Sequence, residues 1–261
     1  MMDDLSLEKI KAGLKTKIFG QNLQIFSSIP TTMDTLKALA LTGAPEGTIV
    51  IADTQIQGRG RHGRTWFSPP GKNIYCSILF RPNLAPEETQ RLLCLALVAS
   101  HHTILEKYGI SALVKWPNDL IINGKKVAGF LLQNELKTDK LEFSILGVGL
   151  NINMDKKDLS PDLVGLASSP YMVTGRVVSR SELIASLLNK IEYWYNILNE
   201  EGFYKIREDW IRLWGQFNKT LKIRQPGRTI QGIGKGLDDC GYVILELENG
   251  KWETIYVGDP V

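Results

Sequence analysis

The stretch TIVIADTQIQGRGRHGRTWFSPPGKNIYCSILF, residues 48–80, decides the predicted fold. Both of its ends are rich in β-branched and aromatic residues, which is typical of strands, and glycines and arginines fill the loop between them. No acidic residue occurs between Asp53 and Glu87, whereas the cations of that interval are Arg59, Arg61, Arg64, Lys72 and Arg81. We predict that these cations and the backbone N–H groups of the glycines converge on one negatively charged ligand.

Residues 58–63 also match the G-x-G-x-x-G pattern of dinucleotide-binding proteins. That motif requires a helix that begins at its last glycine, whereas Pro69 and Pro70 follow shortly after Gly63. The interleaved arginines have no part in such a turn. We therefore predict a hinged loop that closes over a ligand, and not a dinucleotide fingerprint.

Composition narrows the class of protein. The chain has 261 residues, of which 43% are apolar and 23% are charged, as in ordinary globular proteins. A net charge of +3 is small for a dedicated nucleic-acid-binding module. The sequence shows neither an apolar run long enough to cross a bilayer nor a secretory leader. We therefore expect a cytoplasmic protein that binds neither DNA nor a membrane.

The apolar patterns predict an α+β fold with a mixed, largely antiparallel central sheet packed with helices. Strands are predicted over residues 22–29, 48–54, 73–80, 112–116, 120–123, 126–136 and 141–153. Helices are predicted over residues 31–43, 86–108, 179–198 and 203–214. From Thr220 onward, short alternating runs predict a small β-barrel. We therefore divide the chain into a large domain, residues 1–217, and a small domain, residues 218–261.

The segment KWPND, residues 115–119, stands at the end of the predicted strand 112–116. Pro117 ends the strand and turns the next residues outward, into a position where proteins often hold ligands. The same residues also fit a packed turn with a solvated Lys115, and the residues alone leave both interpretations open.

Four motifs occur in a fixed order: GRGRHGRTWFSPPGKN (58–73), KWPNDL (115–120), KVAG (126–129) and GVGLNIN (147–153). In this order and spacing they resemble the biotin protein ligase family, whose members attach biotin to carrier proteins. The resemblance covers most of residues 22–257 and implies a synthetase-like catalytic domain followed by an SH3-like barrel. It also implies ATP-dependent formation of biotinyl-5'-AMP, with ATP and biotin as substrates and Mg²⁺ as the accompanying ion.

The resemblance assigns roles to individual residues. It places Lys115, Arg61 and Arg64 in the catalytic step. The biotin-binding residues that it implies are Thr31, Thr32, Met33, Gln55, Arg59, Gly60, Arg61, Lys115 and Gly129. The implied ATP-binding residues are Arg61, Arg64, Trp66, Lys115, Asn118 and Asn151, and Asp119 is the implied ligand of Mg²⁺.

Three residues depart from the family pattern. Thr31 replaces the usual serine, which preserves a hydroxyl group, Gln57 occupies a position that is more often small, and His62 lies inside the arginine-rich loop. The residues before the first predicted strand are too few for the winged helix-turn-helix of family members that also act as repressors, so we expect a monofunctional ligase. The implied partner is a biotin carboxyl carrier protein, and the choice between monomer and homodimer stays open.

Two other functions remain as alternatives. A lipoate or octanoate ligase or transferase of the same superfamily shares the fold. A transferase would use a cysteine as acyl carrier, and we expect Cys76 and Cys94 to lie inside a strand and a helix. A non-catalytic binder of single-stranded nucleic acid would use the basic loop with Trp66 and Phe67.

Overall fold

The computed structural model describes residues 5–261. Seven strands form its central sheet: β1 (Leu23–Ile29), β2 (Ile49–Gln55), β3 (Ile74–Phe80), β4 (Leu113–Lys115), β5 (Asp119–Ile122), β6 (Lys125–Lys137) and β7 (Lys140–Leu150). Their order is β1-β2-β3-β7-β6-β5-β4. The β1–β2 pair is parallel and the other neighbouring pairs are antiparallel, which confirms the predicted mixed, largely antiparallel sheet.

Six α-helices accompany the sheet: α1 (Leu7–Gly13), α2 (Thr32–Leu41), α3 (Gln90–Tyr108), α4 (Pro170–Thr174), α5 (Arg180–Glu200) and α6 (Tyr204–Leu213). Thr31 and Ser179 cap α2 and α5 with their side chains, as the sequence indicates. The sequence analysis did not predict α1 or α4. In α1 the one buried residue is Ile10, so this helix gives almost no apolar periodicity to detect. No helix within residues 5–261 is long and apolar enough to span a bilayer.

Both faces of the sheet are covered, and the strands alternate between two cores. Along β2, Ile49 and Ile51 belong to the larger core with α3 and α5, whereas Val50 and Ala52 pack in a smaller core with α2. This alternation follows from the two-residue period of a strand. Beyond α2, the face with the smaller core continues as an open floor, and the loop after β2 lies over it.

The terminal part of the chain forms a second, antiparallel sheet. Its strands are β8 (Thr220–Gln225), β9 (Arg228–Leu237), β10 (Val243–Leu247), β11 (Trp252–Ile255) and β12 (Asp259–Pro260), in the order β11-β10-β9-β8-β12. Its buried residues, among them Val243 and Leu245, belong to the same cluster as the larger core. A Cβ at Gly234 would lie 2.4 Å from the Trp214 ring, so the two parts pack closely. The division between residues 217 and 218 stays a prediction.

Candidate active site

A cavity of about 250 Å³ lies on the open floor, between the loop after β2, the start of α2 and the turn after β4. Almost all of the predicted site residues border it, although they come from distant parts of the chain. Those residues are Thr31, Thr32, Met33, Gln55, Arg59, Gly60, Arg61, Arg64, Trp66, Lys115, Asn118, Asp119 and Gly129. The first exception is Asn151, which is described below. The prediction that five cations converge on one ligand is also wrong for two of them, because Lys72 pairs with Asp158 and Arg81 donates to the carbonyl oxygens of Ala40 and Ala44, outside the cavity lining.

The loop that covers the cavity, residues 58–66, is called the arginine loop from here on. It is a hairpin in which Gly60 N–H donates to Arg64 O at 2.6 Å and Trp66 N–H donates to Gly58 O at 2.8 Å. Its tip is a single 3₁₀ turn, Arg61–Gly63, in which His62 has a left-handed conformation with φ of 54°. No α-helix begins at Gly63, which confirms that the G-x-G-x-x-G pattern is not a dinucleotide fingerprint.

One end of the cavity is a compact polar pocket. The backbone N–H and the hydroxyl of Thr32 both donate to Oε1 of Gln55, at 2.9 and 3.1 Å. Ser77 donates its hydroxyl to Thr32 Oγ1 at 2.8 Å, a contact that sequence reasoning missed. Thr31 and Thr32 are almost fully buried, and Met33 lies beside Gly147 at the boundary of this pocket. The pocket therefore offers fixed polar groups next to an apolar wall.

The floor at the other end is made of glycines because an aromatic ring rests on it. Gly129 of β6 pairs directly with Gly149 of β7, so both face the same side of the sheet. A Cβ would lie 2.6 Å from the Trp66 ring at Gly129 and 2.4 Å from it at Gly149. Side chains at these two positions would displace Trp66. The Trp66 ring and the glycine floor thus form a flat surface that suits a planar group.

Two lysine ammonium groups border the cavity, and they differ in exposure and in ion pairing. Lys115 is exposed and has no carboxylate within ion-pair distance among the described residues. Lys126, which the sequence analysis did not select, is half-buried, with its Nζ 2.7 Å from Asp119 Oδ1 and 5.0 Å from the centre of the Trp66 ring. The signal that could have identified it is the KVAG motif, in which Lys126 is the first residue.

Asn118 and Asn151 differ in where the structure places them. Asn118 borders the cavity and donates its amide to Phe130 O, which fixes the turn after β4. Asn151 does not border the cavity. Its buried amide donates to Lys126 O at 3.4 Å and to Ser168 O at 3.1 Å. The structure thus gives Asn151 a part in holding the backbone of Lys126, and its contact with ATP stays a prediction.

Two arginines of the loop, Arg59 and Arg61, are held by carboxylates. Arg59 forms two hydrogen bonds to Asp34 of α2, at 2.9 and 2.7 Å. Arg61 is less exposed and lies 3.3 Å from Asp259 of β12. Burial lowers the pKa of Arg61 from its usual value, and the carboxylates of Asp259 and Asp119 oppose that shift. The guanidinium keeps its charge at neutral pH because arginine is not deprotonated in proteins.

The cysteines do not supply an acyl carrier. Cys76 lies in β3 and Cys94 in α3, as predicted, but Cys76 also borders the cavity. Its side chain packs in the larger core, and burial raises the pKa of its thiol to about 12. A thiol in that state is a poor nucleophile at neutral pH. The argument against a transferase therefore depends on the burial of Cys76 and not on its distance from the site.

Comparison with known proteins agrees with this geometry. Residues 25–151 match the biotin/lipoate A/B protein ligase family, and residues 217–259 match the biotin protein ligase C-terminal domain. The bifunctional ligase/repressor BirA of Bacillus subtilis is 35% identical over 255 residues, which cover 98% of this chain and 78% of that protein. A biotin--[acetyl-CoA-carboxylase] ligase of Paracoccus denitrificans is 31% identical over 209 residues, 77% of this chain and 85% of its own length.

The fold also matches that of a solved biotin protein ligase. The biotin protein ligase of Aquifex aeolicus, solved in complex with biotin and ATP, superposes with a TM-score of 0.76 at 28% identity, over 92% of this chain and 98% of that one. The protein therefore belongs to the biotin/lipoate A/B protein ligase family. Its terminal five-stranded sheet is the SH3-like domain that accompanies biotin ligases of this family.

Proposed function

We propose that the protein uses ATP to attach biotin to a lysine of a carrier protein. In the first step a carboxylate oxygen of biotin attacks the α-phosphorus of ATP, and pyrophosphate leaves. In the second step the lysine amine attacks the carbonyl of biotinyl-5'-AMP, loses a proton, and AMP leaves. The observation that carries this proposal is the single cavity that joins the Thr32–Gln55 pocket to the Trp66 floor beneath a loop of arginines.

The electrostatic problem of the first step explains why cations gather here. Two unit negative charges at about 3.3 Å repel by roughly 5 kcal/mol at an effective dielectric of about 20. Guanidinium and ammonium groups that are already in place lower this barrier without reorganisation during the reaction. Arg61, Arg64, Lys115 and Lys126 all border the cavity and fit that requirement.

The two ends of the cavity suit the two substrates. The Thr32–Gln55 pair and the Arg59–Gly60 backbone form the pocket for the ureido and valeryl parts of biotin, with Met33 as a wall. Gly129, which the resemblance implies for biotin, lies instead beneath Trp66. Trp66 and the glycine floor suit the adenine ring, and Asn118 stands beside it. Because Lys126 is half-buried between Asp119 and Trp66, its position favours contact with the biotin carboxylate and the α-phosphate, a role that the sequence assigned to Lys115.

In this proposal Mg²⁺ binds together with the nucleotide. No cluster of three or more metal-ligating side chains occurs within residues 5–261. Mg²⁺ is commonly held by one or two carboxylates together with substrate phosphates, so the single carboxylate of Asp119 fits that arrangement. A bound Mg²⁺ would neutralise phosphate charge. The protein's own contribution is to hold Asp119 beside Lys126 at the edge of the cavity.

The chemistry needs no covalent enzyme intermediate, and the described part of the chain fits this. His101 is buried in α3 and bonded to Ala112 O at 2.7 Å, away from the cavity. Binding, orientation and charge neutralisation therefore carry the reaction. The acceptor in this proposal is a biotin carboxyl carrier domain, which the name of the Paracoccus denitrificans relative supports.

The test is pyrophosphate release from ATP by the pure protein, with biotin or lipoate as the acid. We expect release with biotin and a matching thermal stabilisation by biotin plus ATP. Transfer of labelled biotin to one band in a cell extract would identify the carrier. Release with lipoate but not biotin would overturn the proposal in favour of a lipoate ligase.

A further inference from the structure

The tip of the arginine loop is attached to the terminal sheet by one carboxylate. Asp259 Oδ1 lies 3.3 Å from Arg61 Nη1, and Asp259 Oδ2 lies 3.0 Å from His62 Nε2. Arg61 Nη2 also donates to Gly258 O at 3.1 Å. Two consecutive residues of the loop, from the catalytic domain, thus bind two consecutive residues near the end of the chain. Asp259 and Pro260 themselves border the cavity.

The segment that carries Asp259 is firmly placed. Asp259 pairs with Arg224 and Pro260 with Ile223 in the β12–β8 ladder, and Val261 N–H donates to Lys222 O at 2.9 Å. Gly258 has φ of 155°, and a Cβ there would lie 2.4 Å from Ile223. The backbone before Asp259 therefore lies directly against β8 and needs glycine. Asp259 is presented from a fixed strand and not from a free terminus.

The loop, in contrast, has few anchors at its tip. Gly63 has open space around it, and both His62 and Gly63 have positive φ values. The Arg61 side chain is 20% exposed, although it belongs to a surface loop, because β12 covers it. Without the Asp259 carboxylate, the tip would be held by the internal hairpin bonds and by the single bond from Arg61 to Gly258 O.

We propose that Asp259 is a positioning residue, which ties the arginine loop to the terminal sheet and holds Arg61 at the phosphate side of the cavity. This inference rests on the proposed function for its catalytic consequence. The terminal domain thereby takes part in nucleotide binding and in retention of the adenylate, although it contributes no group to the chemistry. The Thr32–Gln55 pair lies at the other end of the cavity. The Arg59–Gly60 part of the biotin pocket is held separately, by Asp34 and by the bond from Gly60 N–H to Arg64 O, so we expect the biotin pocket not to depend on this tie.

The test compares Asp259→Ala and Asp259→Asn with a matched control, Glu253→Gln. The control removes an ion pair of the same sheet, Glu253 to Arg228 at 2.6 Å, that does not border the cavity. Loss of an ion pair worth up to about 1 kcal/mol changes an equilibrium by about fivefold. We therefore expect the Asp259 variants to raise KM for ATP by about fivefold and to release more free adenylate. In these variants KM for biotin should stay unchanged. The control should keep the wild-type KM for both substrates and the wild-type release of adenylate.

A second readout does not depend on any activity. Trypsin cleaves after Arg59, Arg61 and Arg64, and we expect the ligand-free Asp259 variants to be cut in this loop several times faster than the wild type. Equal cleavage, or an unchanged KM for ATP, would overturn the proposal. A lower KM for ATP would show instead that Asp259 competes with phosphate for Arg61. If the wild type released no pyrophosphate with biotin, the proposed function would fail, while the cleavage rates would still decide whether Asp259 holds the loop.

Discussion

The indole of Trp66 rests directly on Gly149, where a Cβ would lie 2.4 Å from the ring. Contacts of that length do not occur between real side chains, so Gly149→Ala must push Trp66 off the floor. The strand itself can accept alanine, since its backbone is regular and paired with Gly129. We expect Gly149→Ala to fold and to bind biotin, but to raise KM for ATP by at least tenfold.

The control for this prediction is Gly147→Ala, two residues earlier on the same face of β7. A Cβ at Gly147 would lie 2.9 Å from the Met33 sulfur, which is the end of a flexible side chain. We expect a smaller effect there, seen as a rise of KM for biotin and not for ATP. Steady-state kinetics with each substrate varied in turn measure both. An equal rise of KM for ATP in the two variants would contradict the assignment of the floor to adenine.

The two lysines at the cavity give a second prediction. Lys126→Ala removes a half-buried ammonium and leaves the Asp119 carboxylate without its partner. Lys115→Ala removes an exposed one. We expect both substitutions to slow biotin-dependent pyrophosphate release, and Lys126→Ala to cause the larger loss, about a hundredfold or more, as for other electrostatic groups at reacting centres. A larger loss for Lys115→Ala would instead support the catalytic role that the resemblance implies for Lys115.

Lys126 shows why part of the site is not visible in the sequence. The KVAG motif is evident, but the place of its lysine depends on how β6 pairs with β5. A register irregularity between Leu120 and Ile121 accompanies that pairing, and Asp119 ends opposite Gly129. A shift of one residue would move the side chain to the other face of the sheet. Periodicity predicts the strands, whereas the register is set by their packing.

The sequence was sufficient to predict the arginine loop, but not the attachment of that loop to β12. The density of glycine and arginine within residues 58–64 indicates an anion-binding loop without any knowledge of the fold. Asp259, which holds its tip, lies in a short terminal run that gives no motif. For Asn151 the resemblance implies a ligand contact, and the structure adds a bond from its buried amide to Ser168 O that the motif does not indicate. Both contacts join distant segments, and for that reason the sequence did not show them.

Buried His101 and half-buried His102 give a prediction for stability against pH. Burial lowers the pKa of His101 and His102 from the ordinary value of 6.5. Asp209 of α6 and Lys190 of α5 face this pair, and Ala112 O accepts from His101. A histidine whose pKa is lowered by folding stabilises the protein fully above pH 6.5, and this contribution is lost as pH falls from 6.5 through the folded pKa.

We therefore expect the melting temperature to fall between pH 7 and pH 5, and the fall to be smaller in the double variant His101→Gln, His102→Gln. Thermal unfolding at half-unit steps of pH measures this. A variant that keeps the full wild-type slope would show that other groups, such as paired carboxylates, cause the acid sensitivity.

The Thr32 hydroxyl gives the last prediction, because one atom is hydrogen-bonded within the fold and also lies in the proposed biotin pocket. It donates to Gln55 Oε1 and accepts from Ser77 Oγ, and Thr32 is 3% exposed. Thr32→Val keeps the shape but leaves Ser77 without an acceptor, which costs about 1–3 kcal/mol for a buried polar group. We expect a lower melting temperature and a KM for biotin raised about tenfold, with KM for ATP unchanged. Thr32→Ser keeps the hydroxyl and should restore the biotin value. If Thr32→Val instead altered KM for ATP alone, the orientation of the two substrates in the cavity would be the reverse of the one proposed.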